Sequence, residues 1–226
     1  MHNHLEIVLT RDGSQTILDN TRETTYHSIN GAVTESRHVF IEAGFKYLAA
    51  QGKSRLKILE IGFGTGLNAF LTYLETQKYH LDVEYLGIEA NPLPDTMIEQ
   101  LVYSEYLQAA STQNVFRHLH AASGLTEAHF SLKVLNDNVE DLTLPSGNDL
   151  IYYDAFGPRD QSELWTLELL SRIVGTMTPG GVLVTYCAQG QFKRNLKQLG
   201  CDVESLPGPP GKREMVRATL RKPNDA

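Results

Sequence analysis

The 226-residue chain predicts an open α/β fold: a mostly parallel, seven-stranded sheet with helices on both faces, plus a small N-terminal hairpin-and-helix appendage. Three observations carry this reading. Short runs rich in β-branched and apolar residues alternate with segments of helical period, the pattern of a parallel sheet covered by helices. The first such run passes through a triple-glycine turn straight into a helix: Leu56-Lys57-Ile58-Leu59-Glu60-Ile61-Gly62-Phe63-Gly64-Thr65-Gly66-Leu67-Asn68. Acids finish four of the runs, at Glu60, Glu89, Asp137 and Asp154, although strand interiors disfavour them.

Taken in order, residues 5–18 alternate around Arg11-Asp12-Gly13-Ser14, which reads as a hairpin with an Asp-Gly turn. The segment from Tyr26 leads into a helix whose apolar face is Val39, Phe40, Phe45 and Leu48, with Gly52 as its stop. These residues, 1–52, precede the first core strand and are expected to lie beside the sheet as a lid or platform. Residues 53–226 form the main domain. Strand one is 57–61, and Leu67, Phe70, Leu71 and Leu74 give the next helix its face. Strand two is 83–89, and 92–108 continues as a helix. Strands three and four are 131–135 and 149–154. A helix over 162–177 follows, with Asp160 as its cap and Glu163 completing a capping box. Pro179-Gly180-Gly181 then leads to strand five, 182–186. A helix over 190–199 and strands near 201–205 and 214–220 complete the set. Residues 109–130 carry no readable period.

Composition narrows the function. Cys187 and Cys201 form no metal or redox spacing, which fits a reducing compartment. No apolar run reaches the length of a membrane span, and the polar start Met1-His2-Asn3-His4 is no signal peptide. A cytoplasmic location is the expectation. The net charge of −7 opposes indiscriminate nucleic-acid binding. Residues 193–222 nevertheless hold eight Lys/Arg against three acids, which suits either a docking face for a polyanion or a solvated surface. The histidines show no ligand spacing beyond His2-x-His4 and His118-x-His120, so no metal is expected.

The glycine turn lacks the Lys-Ser/Thr of a phosphate loop, and Leu67 stands where a dinucleotide fingerprint needs glycine. Its Gly-x-Gly-x-Gly spacing, with Glu60 two residues ahead, resembles the first motif of the class I S-adenosylmethionine-dependent methyltransferases. Glu89 follows Gly66 by 23 residues, one βα unit, and can accept from ribose hydroxyls or cap the next helix. Asp137 matches the position that takes the adenine amino group in that superfamily, or simply forms a turn with Asn136 and Asn138. Asp154-Ala155-Phe156-Gly157-Pro158 loosely resembles the Asp/Asn-Pro-Pro-aromatic motif of methyltransferases acting on amino groups. An alkyl ammonium has no lone pair, and with a pKa near 10.4 its neutralisation at pH 7 costs roughly 4 kcal/mol. A carboxylate held against it takes the proton and stabilises the methylammonium product.

The match then sharpens. The glycine segment, Asp154-Ala155-Phe156-Gly157-Pro158, Leu164-Trp165-Thr166, Pro179-Gly180-Gly181 and Gly211-Lys212-Arg213-Glu214-Met215 occur in one order. Together they resemble the methyltransferase domain of the bifunctional tRNA wobble-uridine enzymes, MnmC, and its stand-alone form, MnmD. Ala155 and Gly157 reverse the family's usual order, and Asn136 replaces a glycine. The resemblance implies a class I methyltransferase fold with S-adenosylmethionine as cofactor, no flavin, and tRNA (its anticodon region) as partner. It implies methylation of 5-aminomethyl(-2-thio)uridine to the 5-methylaminomethyl form, without the oxidase activity of the bifunctional enzymes. By the same resemblance, Asp154 faces the substrate amine. Glu60, Gly62, Phe63, Gly64, Gly66, Asn68, Glu89, Asp137 and Asn138 hold the cofactor, with Tyr26 and Glu35 completing the pocket. Phe156 stacks on the uracil, and Lys212 and Arg213 meet flanking phosphates; a core aromatic and a solvated basic loop are the other readings of these three. Trp165 reads as core. Two further readings stand beside this one: methylation of a small-molecule or protein amine, and a non-catalytic module that binds S-adenosylmethionine.

Overall fold

The computed structural model describes residues 4–79 and 81–223; the polar start Met1-His2-Asn3 lies outside them. Strands β1 (Leu5–Leu9), β2 (Gln15–Asp19) and β3 (Thr24–Thr25) form a small antiparallel sheet. Asp12, in the β1–β2 loop, accepts from Ser14 N at 2.9 Å and from Thr34 N at 3.0 Å. One short carboxylate thus closes the loop and ties it to the start of the next helix. That helix, α1, runs over 32–49 as an α-helical start (Ala32–Ser36), a wider π-wound stretch (Arg37–Lys46) and a last turn (Tyr47–Ala49). Gly44 lets it lie flat on the main sheet, since a Cβ there would stand 3.1 Å from Val184 and 3.2 Å from Leu150.

The main sheet has eight strands, one more than the sequence predicts. They are β4 (Arg55–Ile61), β5 (Asp82–Ile88), β6 (Leu125–Glu127), β7 (Phe130–Leu135), β8 (Asn148–Tyr153), β9 (Met177–Thr185), β10 (Cys201–Pro207) and β11 (Glu214–Leu220), in the order β10-β11-β9-β8-β4-β5-β7-β6. The central pairs β9-β8-β4-β5-β7 are parallel; β11, β10 and β6 add antiparallel edges. Strand alternation builds a core on each face. Ile58, Tyr85, Tyr152 and Val184 join α1 and α2 (Leu67–Tyr79) on one side. Leu59, Ile61, Ile151, Tyr153 and Leu183 pack on the other against α6 (Leu167–Val174) and α7 (Gly190–Gln198).

Four segments differ from the expectation. The helix over 92–108 is two short pieces, α3 (Asp95–Ile98) and α4 (Tyr103–Tyr106), because Gln15 of the hairpin accepts from Val102 N at 2.8 Å and draws the chain aside. The segment 109–130 contains α5 (Gln113–His118) and the edge strand β6. The helix after Asp154 begins as a tight 3₁₀ turn, Ser162–Trp165, and α6 is capped by Thr166, whose Oγ1 accepts from Leu169 N at 3.3 Å. Asp160 and Glu163 form no capping box. β9 also starts at Met177, and Gly180 and Gly181 lie within it, where its pairing with β8 shifts register. Trp165 is buried, as expected, and donates to Phe156 O at 2.8 Å. No helix among the described residues is long and apolar enough to cross a membrane.

Candidate active site

In open α/β sheets ligands bind beyond the carboxyl ends of the strands, and a cavity of about 210 Å³ opens there, at the ends of β4, β5, β7 and β8. The turn Gly62–Gly66 forms one wall. Gly62 N and Phe63 N both donate to Ile88 O at 3.0 Å, which binds the turn to β5. Gly62 has φ +87°, and a Cβ there would come within 2.6 Å of Asp154 O; only glycine allows the two strand ends to approach so closely. Phe63 is buried over Gly87.

Glu89, just past β5, accepts from Gly64 N through Oε2 and from Asn91 N through Oε1, both at 2.8 Å. It braces the glycine turn while still lining the cavity. Asp137 and Asn138 follow β7 at the rim, Asp137 Oδ1 accepting from Asn138 N at 2.8 Å. Asp154, Ala155 and Phe156 follow β8. The N-terminal unit supplies the roof. Tyr26 meets the Phe156 ring edge-on at 5.1 Å, and the Arg22 guanidinium lies 5.5 Å from that ring. His27 is buried behind them, its Nδ1 3.2 Å from Thr16 Oγ1, and burial pushes its pKa down to about 4. It is therefore neutral near pH 7.

Several predicted site residues do not line the cavity. Glu60 lies one position before the end of β4 and points into the core, fully buried. Asn68 bridges it to Asp154: Nδ2 donates to Glu60 Oε1 and to Asp154 Oδ2, each at 2.8 Å. Tyr85 OH donates to Glu60 Oε2 at 2.7 Å. Gly66 closes the turn on the side away from the cavity, against His120 and Phe63. Glu35 accepts from Ser28 N at 2.7 Å and from Lys212 Nζ at 2.6 Å. Lys212 also lies 3.6 Å over the Tyr186 ring, whose hydroxyl donates to Ala155 O at 2.8 Å. Lys212 is thus half-buried and ion-paired to a buried carboxylate rather than free to meet phosphates. The Arg213 side chain is 94 % exposed. Arg22, His27 and Gln161, which line the cavity, carry no local sequence signal.

Burial raises the Glu60 carboxyl to about 8, against hydrogen bonds from Asn68 and Tyr85 that lower it. Burial and the Glu60 charge likewise push Asp154 well above the ordinary carboxylate range. The folded protein therefore holds a proton on Glu60 that the unfolded chain releases above about pH 4.5. Stability contributed by this proton is present below pH 4.5 and is lost as pH rises through about 8. We expect chemical denaturation to show that loss, roughly 3–5 kcal/mol. Glu60→Gln should flatten the slope, since a carboxamide does not titrate and the Tyr85 hydroxyl can turn to accept from it. An unchanged slope would assign the loss to other groups.

The sheet order and the cavity at its carboxyl edge define a class I S-adenosylmethionine-dependent methyltransferase. The lining fits that cofactor: Glu89, Asp137, Glu140, Asp154 and Glu163 face the cavity against Arg22, which suits a ligand carrying a sulfonium and an ammonium, and the turn is cleared by glycines. The chain belongs to the S-adenosyl-L-methionine-dependent methyltransferase family whose sequence profile matches residues 96–221. It is 28 % identical over 213 residues to the tRNA 5-methylaminomethyl-2-thiouridine biosynthesis bifunctional protein MnmC of Cupriavidus necator, covering 88 % of this chain and 32 % of that protein. The chain thus spans about a third of the length of such relatives. The crystal structure of MNMC2 from Aquifex aeolicus superposes with a TM-score of 0.82 at 27 % identity, covering 97 % of this chain and 71 % of the other. A class I methyltransferase from Listeria monocytogenes shares the fold, with a TM-score of 0.54 at 15 % identity over 88 % of this chain and 64 % of that one.

Proposed function

We propose that this chain transfers a methyl group from S-adenosylmethionine to the amine of 5-aminomethyl(-2-thio)uridine at the tRNA wobble position, forming the 5-methylaminomethyl nucleoside. The observation that carries this reading is Asp154. It stands at the cavity beside the glycine turn, with Oδ2 held by Asn68 and Oδ1 without a hydrogen bond among the described residues. The cofactor supplies an electrophilic methyl group. Gly62, Phe63, Gly64, Tyr26 and Asn138 would enclose it, Glu89 would accept from its ribose and Asp137 from its adenine amino group. Asp154 takes the proton of the substrate ammonium, exposing the lone pair for in-line attack. Phe156, flanked by Tyr26 and Arg22, offers a face to the uracil, and the exposed Arg213 suits a neighbouring phosphate. Glu60, Gly66, Asn68, Glu35 and Lys212 support these groups from behind. The names of the MnmC relatives support tRNA as the acceptor.

One observation favours a second reading, methylation of a small-molecule or protein amine. The charged residues lining the cavity are acids apart from Arg22, and five of the basic residues between 193 and 222 are paired: Lys193 and Arg213 with Glu214, Lys212 with Glu35, Arg217 with Glu204 and Arg221 with Asp202. Incubation with cofactor and hypomodified tRNA, followed by mass spectrometry of the wobble nucleosides, separates the two. We expect a nucleoside heavier by one methylene. Untouched tRNA alongside turnover of free amines would establish the second reading. A cofactor-dependent rise in melting temperature without turnover on either substrate would leave a binding module.

A further inference from the structure

Asn68 occupies the second position of α2, immediately after the glycine turn, and is 3 % exposed. Its carboxamide has two hydrogens, and each goes to a different carboxylate: Glu60 Oε1 and Asp154 Oδ2, both at 2.8 Å. With both carboxylates ionised, and so acceptor-only, the amide has one sensible orientation. That orientation leaves Asn68 Oδ1 buried with no partner. An unmet acceptor in a core is costly, so the arrangement works against stability. Glu60 is secured from the far side by Tyr85 OH. A continuous line, Tyr85–Glu60–Asn68–Asp154, therefore runs from β5 through β4 and α2 to the cavity.

We propose that Asn68 is a positioning residue for methyl transfer: its carboxamide pins Oδ2 of Asp154 so that Oδ1 alone is presented to the incoming amine, and Glu60 anchors the carboxamide. This assignment rests on the amine-methyltransferase reading above. A free carboxylate rotates about its Cβ–Cγ bond and offers either oxygen; a pinned one offers a single lone-pair direction, the alignment that proton removal needs. The charged groups acting on Asp154 come from several elements: Glu60 on β4, Glu35 on α1 and Lys212 on the β10–β11 turn. Asn68 differs from these in donating a hydrogen bond directly to the carboxylate.

The test compares Asn68→Ala and Asn68→Ser with the native chain. We expect kcat to fall about 100-fold, with cofactor affinity by calorimetry held within about threefold. The acid limb of the kcat–pH profile should move to higher pH, because the bond favouring ionised Asp154 is gone. Undiminished kcat, or a loss explained by weaker cofactor binding, would overturn the assignment. A second readout needs no turnover: the carboxyl ¹³C titration of Asp154 in cofactor-free protein, whose midpoint should rise in both variants. An unmoved midpoint would show that Asn68 does not pin the carboxylate. A raised midpoint with no turnover by the native chain on tRNA or free amines would overturn the functional reading and leave the pinning upheld. Should neither variant fold, the native Asn68 side-chain amide decides. Two slowly exchanging protons that shift as the carboxyls titrate support the bridge; rapid exchange of either excludes it.

Discussion

Asp154→Asn is expected to lower the rate of methyl transfer by about 10²–10⁴-fold while leaving cofactor affinity nearly unchanged. The substitution preserves size and shape, so the glycine turn should stay seated against the backbone of residue 154, where Asp154 N donates to Ile61 O at 2.9 Å. What it removes is the only atom that, in this reading, accepts a proton from the substrate. The asparagine must also turn its oxygen toward Asn68 Nδ2, which leaves an amide hydrogen where a base is needed. pH gives a second check. Burial, and the charge of Glu60, raise Asp154 above its ordinary value, so the native rate should climb with pH until this group has ionised. The variant should lose that limb of the profile. Single-turnover assays across pH measure both effects, and full activity in the variant would remove Asp154 from the chemistry.

Gly62→Ala is expected to damage folding and binding together. At φ +87° an alanine pays about 1–2 kcal/mol in backbone strain. Its Cβ would also stand 2.6 Å from Asp154 O and 2.9 Å from Asp154 C. These are backbone atoms at the end of a central strand, unable to swing aside as a flexible side chain would, and overpacking of this kind costs about 1–3 kcal/mol more. For a chain of this size the sum corresponds to a fall in melting temperature of roughly 5–15 °C. Because relief requires β4 and β8 to part at the cavity, calorimetry should show cofactor binding lost or strongly weakened. Gly64→Ala is the control. Its Cβ would meet the Tyr26 side chain at 3.2 Å, a neighbour able to yield, so the packing penalty should be smaller. Equal behaviour of the two variants would contradict the close-approach argument.

The central sheet was legible because its signals are local. Ile58, Leu59 and Ile61 feed a turn that only glycine tolerates, and Glu89 and Asp154 sit where the chain leaves a strand. Burial then sorted residues that sequence could not. Glu60 reads as a rim carboxylate, yet strand alternation places it on the inner face with Ile58, one residue short of the edge. The broken helix after Pro92 was hidden because its cause, Gln15, lies far away in the hairpin. Edge strand β6 is too short to show a period. Lys212 and Arg213 are neighbours of similar chemistry, and nothing local separates the exposed one from the one held by Glu35. The roof of the site was the least visible part, since Arg22 and His27 owe their place to the docking of the N-terminal sheet.

His38 bonds Pro207 O at 2.7 Å, and Lys212 reaches Glu35 beside it, so the last hairpin is latched onto the first helix. During synthesis the glycine turn and Asp154 leave the ribosome well before that hairpin does. The nascent protein therefore carries two walls of the cavity for some time with the neighbouring latch unfastened. The contacts of His38 and Glu35 with that hairpin can form only after both groups have been made, a timing that follows from where the latch falls along the polypeptide.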